Sequence, residues 1–133
     1  YDGADFFEPI KELGDRVYLR RGRFYILSTA EAVRVPPCFA CEMVPMDARS
    51  GEFRAHYAGF IDPGWGYGTD GGGKGRPLTL EVRPFEDLVI FKNHPIAKIK
   101  FEEMVTPPDV HYDAKAECNY SAQSGPKLAK HFK

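Results

Sequence analysis

An all-β sandwich or barrel is the fold class this sequence predicts, on three observations. Short stretches rich in β-branched and aromatic residues recur at regular spacing. Glycine and proline clusters punctuate them, and no sustained helical periodicity or internal repeat runs through the chain. At 133 residues, 43% hydrophobic and 14% aromatic, residues 1–133 read as a single domain able to bury a core, not as a disordered segment.

The elements follow in order. Residues 1–14 are mixed, with Phe6, Phe7 and Ile10 apolar, and read as an edge cover or a short helix before Gly14. Arg20-Arg21-Gly22-Arg23 reads as a basic turn. Phe24–Thr29 is rich in β-formers and reads as the first strand. Glu31–Val35 alternates and stops at Pro36-Pro37, which cannot donate to a ladder. Cys38–Met46 is a second apolar strand, Asp47–Glu52 a polar turn, and Phe53–Ile61 a long strand. Gly66–Gly75 is a glycine-rich loop. Leu78–Arg83 alternates as a strand. Leu88–Lys92 follows, then a turn at Asn93-His94-Pro95, then Ile96–Phe101. From Thr106 the chain carries Pro107-Pro108 and few apolar residues.

Ala58–Trp65 is the stretch that draws attention. Its apolar run breaks at Asp62-Pro63-Gly64, where the chain must turn, and Trp65, the only tryptophan, follows. A strand end with a carboxylate and an indole suits a pocket floor under a sugar or base. The alternative is a strand ending in a turn, with Trp65 as core filler.

Composition narrows the classes of function. A net charge of −1 argues against a general nucleic-acid binder. No apolar run reaches membrane-spanning length and none reads as a secretory leader. Three cysteines, an odd number, suit a reducing compartment, so a cytoplasmic protein is the expectation. The first residue is Tyr1, not Met, which fits a piece of something longer.

Four features bear chemistry. Pro37-Cys38-Phe39-Ala40-Cys41 matches half of the zinc nucleobase-deaminase signature. The H-x-E half is missing, since no histidine precedes Cys38 and none is followed two residues later by glutamate. Two thiolates do not complete a tetrahedral site, so no zinc is expected and both cysteines read as small core residues. The glycine-rich loop lacks the Walker pattern, because Gly75 follows Lys74, and reads as a mobile hairpin tip. Thr79, Glu81 and Arg83 share one face of their strand. If that face is solvent, Glu81 is ordinary; if it lines a pocket, desolvation prepares a general base. Arg49, Ser50 and Arg54 bracket a turn that suits an anion or is a solvated loop.

Taken together, Arg49-Ser50 with Arg54, Ala58 with Ile61–Trp65, and Leu80-Glu81 resemble the dCTP deaminases of the trimeric dUTPase superfamily. The upstream stretch from Gly22-Arg23-Phe24-Tyr25 to Val35-Pro36 resembles the strand pair that leads to that family's arginine turn. Tyr120-Ser121-Ala122-Gln123-Ser124-Gly125 is similar to its C-terminal Tyr-x-x-Gln-x-Gly arm. The resemblance runs from about Arg21 to the end and is nearest to the second half of the double-domain bacterial enzymes. Phe60 stands where the family often has arginine, and the glycine-rich loop is an insertion.

The resemblance implies a distorted β-barrel, jelly-roll-like, of the dUTPase-like (β-clip) fold. It implies a homotrimer, or a pseudo-trimer with a sister domain, with sites between subunits. It implies dCTP as substrate, dUTP as product, dTTP as a candidate inhibitor, and Mg2+ carried on the triphosphate with no protein metal site. Glu81 would be the base that activates water at C4 of cytosine. Ser50 and Arg54 would come from a neighbouring subunit to orient water and base. The backbone around Tyr57, Ala58 and Phe60 would read the pyrimidine edge. Asp62 would meet the deoxyribose hydroxyl, with Trp65 under the sugar. Arg49, Gln123 and the tail lysines Lys127 and Lys130 would hold phosphates, with Tyr120 in the same arm. A dUTP diphosphatase or bifunctional enzyme, and a non-catalytic nucleotide-binding or assembly domain, are the competing readings.

Overall fold

The computed structural model describes residues 1–10, 14–46, 59–116, 120, 124–129 and 131–132. Among them the protein is all-β, with only single 3-10 turns at Gly3–Asp5 and Tyr112–Ala114. Strand β1 (Arg16–Leu19) pairs with β6 (Leu88–Phe91), β2 (Tyr25–Ser28) with β5 (Thr79–Val82), and β3 (Phe39–Pro45) lies between β4 (Phe60–Ile61) and β7 (Ala97–Glu103). Every pairing is antiparallel.

The first two pairs form one long ribbon with a break in it. Arg16 faces Phe91 and Tyr25 faces Val82, so pairing resumes after the break without gaining or losing a residue on either side. The break is where both chains turn. Gly22, at φ 71°, supplies the left-handed residue on one side, and its N–H donates to Pro84 O at 3.0 Å on the other. Arg21 N–H donates to the Asp87 carboxylate at 2.7 Å. The basic turn is therefore latched across the ribbon. At its far end Asn93 takes φ 62°, a conformation asparagine tolerates, and reverses the chain toward β7.

Alternation fills the core. Leu80 and Val82 of β5 are buried while Thr79 and Glu81 stand half-buried on the other face. Leu19, Val33, Val35, Cys41, Ile61, Trp65 and Leu78 complete the cluster, drawing on every sheet. β1 is not among the strands derived from sequence, although Val17 and Leu19 turn inward while Tyr18 points out. Glu31–Val35 proves shorter than its alternation suggests. Its ladder is a single bridge, Val33 to Arg76, after which Val35 N–H donates to Trp65 O at 2.9 Å and Val35 O accepts from Gly64 N at 3.0 Å. The segment is thus stitched between the two ends of the glycine-rich loop. Of the expected long strand Phe53–Ile61, residues 53–58 lie outside the described residues, and Phe60–Ile61 is β4.

The glycine-rich loop closes on itself, with Gly75 N–H donating to Gly66 O at 2.9 Å and Gly73 N–H to Tyr67 O at 2.7 Å. It is not the tip of a strand hairpin, because β4 and β5 belong to different sheets. Arg34 donates to Gly71 O at 2.8 Å and lies over the Tyr67 ring, which ties the loop to the segment before Val35. Gly66 is required twice over. Its φ is +63°, and a Cβ there would stand 2.5 Å from Val33 O and 2.8 Å from Gly75 Cα. Gly14 has a similar φ of +72° but open space around it. Gly14→Ala should therefore cost only the left-handed strain, about 1–2 kcal/mol. Gly66→Ala should add overlap worth roughly a further 1–3 kcal/mol. Urea denaturation of both variants checks this, and equal losses would refute the overlap.

Candidate functional site

Glu81 lies on the polar face of β5, opposite Ile26 of β2, between Leu80 and Val82, which point into the core. The strand is fixed from behind by packing, so the carboxylate is held at a set place on a half-open face. A wide groove of about 1350 Å³ opens beside it. That groove is bounded by the N-terminal segment, the ribbon strands and Pro126 and Leu128 of the tail, and it reaches Ile26. Glu81, Asp62 and Trp65 do not line it. This groove is thus next to the sequence-derived site and not at it.

The Asp62-Pro63-Gly64-Trp65 turn forms as its residue types demand. Trp65 N–H donates to Asp62 O at 3.1 Å, and Gly64 takes φ 87° with the His111 ring against it. Asp62 is exposed, and Phe60 is 72% exposed. Trp65 is 9% exposed and belongs to the core cluster. The Arg76 guanidinium lies over its ring at 4.6 Å, and the Tyr112 ring packs at 5.2 Å between centroids. The indole is therefore enclosed within the chain.

Arg76 is the functional-looking residue that sequence reasoning missed. It is 8% exposed and ion-pairs with Asp113. Its second amino group donates to Tyr120 O at 2.7 Å. The other Asp113 oxygen accepts from Gly68 N–H at 2.8 Å. The glycine-loop amide that a phosphate reading would offer to a ligand is thus filled by a carboxylate of the same chain. The only cue in the sequence was an arginine between Gly75 and Pro77, which reads as loop.

Of the other expected site residues, Tyr120 is half-buried with the Lys127 ammonium 5.5 Å over its ring. Arg49, Ser50, Arg54, Tyr57, Ala58, Gln123 and Lys130 lie outside the described residues. Phe132 packs edge-on against Phe6 and Phe7, so the tail's described residues are docked at both ends.

The cysteines part company. Cys38 precedes β3 and is exposed, which corrects its reading as core; Cys41 is buried, and burial pushes its thiol from the ordinary 9.0 up to about 11. An acid with a raised folded value stabilises fully below its unfolded value. Cys41 should therefore cost stability as pH rises from about 9 to about 11. Iodoacetamide at pH 8 should label Cys38 in the native protein and leave Cys41 until urea is added. Peptide mass mapping checks this, and native labelling of Cys41 would contradict it.

The sequence profile described as "2'-deoxycytidine 5'-triphosphate deaminase (DCD), C-terminal domain" matches residues 1–132. A curated relative from Dictyoglomus turgidum, named "dCTP deaminase, dUMP-forming", is 28% identical over 134 residues, covering 95% of this chain and 63% of its own length. A crystal structure of 2'-deoxycytidine 5'-triphosphate deaminase from Agrobacterium tumefaciens superposes with a TM-score of 0.71 at 40% identity. It covers 82% of this chain and 33% of that one. The chain therefore spans less than two thirds of either relative, and the fold is the dUTPase-like one.

Proposed function

The chain belongs to the 2'-deoxycytidine 5'-triphosphate deaminase C-terminal domain family, and from that premise we propose that it deaminates dCTP to dUTP and ammonia, in the supply of deoxyuridine nucleotides in the cytoplasm. The observation that carries the reading is Glu81. It is a half-buried carboxylate between the buried Leu80 and Val82, paired across the ribbon with Ile26 at the edge of an open groove that Glu81 itself does not line.

In this reading Glu81 takes one proton from water as the water oxygen bonds to C4 of cytosine. The C4–N4 bond then breaks, and the proton on Glu81 goes to the departing amino group, which leaves as ammonia. The remaining water proton ends on N3, and C4 keeps the oxygen as the uracil carbonyl. Asp62, exposed at the turn, binds the deoxyribose hydroxyl, and Trp65 borders the sugar. Phe60 adds its backbone to the pyrimidine edge. Ser50, Arg54, Tyr57 and Ala58 are assigned to the water and the base. Arg49, Tyr120, Gln123, Lys127 and Lys130 are assigned to the triphosphate side, by the same resemblance. A neighbouring copy or sister domain, in a trimer or pseudo-trimer, completes each site.

Among the described residues no group of three or more His, Cys, Asp or Glu stands together to hold a metal. Magnesium would come with the triphosphate and would neutralise phosphate charge, with no protein ligand assigned to it. A bifunctional enzyme that also releases pyrophosphate is the second reading. It is favoured by the "dUMP-forming" name of the Dictyoglomus turgidum relative.

Glu81→Gln keeps shape and hydrogen-bonding reach but accepts no proton. Loss of a general base should lower kcat by about 100-fold or more and leave nucleotide affinity intact. Ammonia release at saturating dCTP, with calorimetric binding as control, measures this. Deamination at the wild-type rate would remove Glu81 from the mechanism.

A further inference from the structure

We infer that Arg76 is a positioning residue, one that holds the Tyr120 root of the C-terminal arm in register with the Trp65 turn and so sets nucleotide affinity. The inference rests on the deaminase reading for its ligand, but not for its geometry.

Four contacts converge on the one guanidinium. It pairs with Asp113, donates to Tyr120 O at 2.7 Å, and lies over the rings of Trp65 at 4.6 Å and Tyr112 at 5.8 Å. Its backbone is fixed independently by the bridge to Val33, with N–H to O distances of 2.8 and 3.0 Å. The head group is thus held from the core side and reaches the tail from there. Asp113 extends the hold to the glycine-rich loop through Gly68 N–H. Three separate segments, the Trp65 turn, the loop and the arm, meet at one charge.

Such a charge is costly to bury and is not the cheapest way to join three segments. A well-packed apolar pair of similar volume often stabilises as well or better. What an apolar pair lacks is direction. The planar fork fixes the Tyr120 carbonyl, the Asp113 carboxylate and the indole plane at once, and neither lysine nor methionine does all three. The arm from Tyr120 carries the residues assigned to phosphate, Lys127 among them, while the turn carries Asp62 and Trp65 at the sugar. Arg76 spans the two ends of the same ligand.

The test is the double variant R76M/D113L in the full chain. It replaces the pair with apolar residues, so no charge is left buried alone. Gly68 N–H and Tyr120 O lose their partners, so its thermal midpoint should fall by several degrees while the chain still folds. Its Kd and KM for dCTP should rise tenfold or more, kcat should stay within about threefold, and dUTP affinity should weaken in parallel. That split separates Arg76 from Glu81, whose loss falls on kcat. Unchanged Kd and KM in a folded R76M/D113L would overturn the inference. Should the double variant fail to fold, R76K decides. A weakened Kd supports the role and a wild-type Kd overturns it. Should the wild-type chain bind neither nucleotide, the deaminase reading fails, and hydrogen exchange judges Arg76 alone. Faster exchange in peptides covering Gly68 and the Tyr120 arm of R76M/D113L, or of R76K, supports the positioning role, and unchanged exchange overturns it.

Discussion

A guanidinium 8% exposed must be answered by the rest of the chain. In this protein the answer comes from residues distant in sequence. Asp113 neutralises it, Tyr120 accepts from it, and Trp65 and Tyr112 cover it. A segment poor in apolar residues, which has little hydrophobic reason to pack, is thereby bound to the barrel. The same charge ties in the glycine-rich loop. The glycine-rich loop gives up an amide to Asp113, and its exit carries Arg76 into the interior.

Around that point the fold is built on register. One ribbon, formed by β1 and β2 against β6 and β5, turns in step on both sides, so the latch between Arg21 and Asp87 falls at the bend. The three-stranded sheet of β4, β3 and β7 supplies the rest of the core through Cys41 and Ile61. Glu81 sits on the ribbon, the turn with Asp62 and Trp65 at the end of β4, and the arm's root on Arg76. The Trp65 turn, the glycine-rich loop and the arm's root are tied together at Arg76, while Glu81 is held separately by the pairing of β5 with β2.

Much of this was legible in the sequence. Alternation in Leu78–Arg83 put Glu81 opposite the buried leucine and valine, and Asp62-Pro63-Gly64 announced its turn. β3, β6 and β7 fell within a residue or two of their expected spans. What was not legible is physical in kind. Arg16–Leu19 is too short a run to stand out, and it is a strand because β6 pairs with it. Glu31–Val35 alternates but meets partners on both sides for only a residue or two. The Arg76–Asp113 pair joins positions 37 residues apart with no periodicity between them, so only tertiary structure brings it out. Cys38 reads as apolar by type yet lies before the strand that buries Cys41.

The central claim is that water attacks the pyrimidine ring at C4. Turnover of dCTP in 18O-labelled water, followed by mass analysis of the base and phosphates separately, addresses it directly. The account predicts one 18O at O4 of the uracil product, whether or not pyrophosphate is also released. Label found only on phosphate oxygens would identify diphosphatase chemistry, and no label in any product would identify a binding domain without chemistry. Either result would contradict the account.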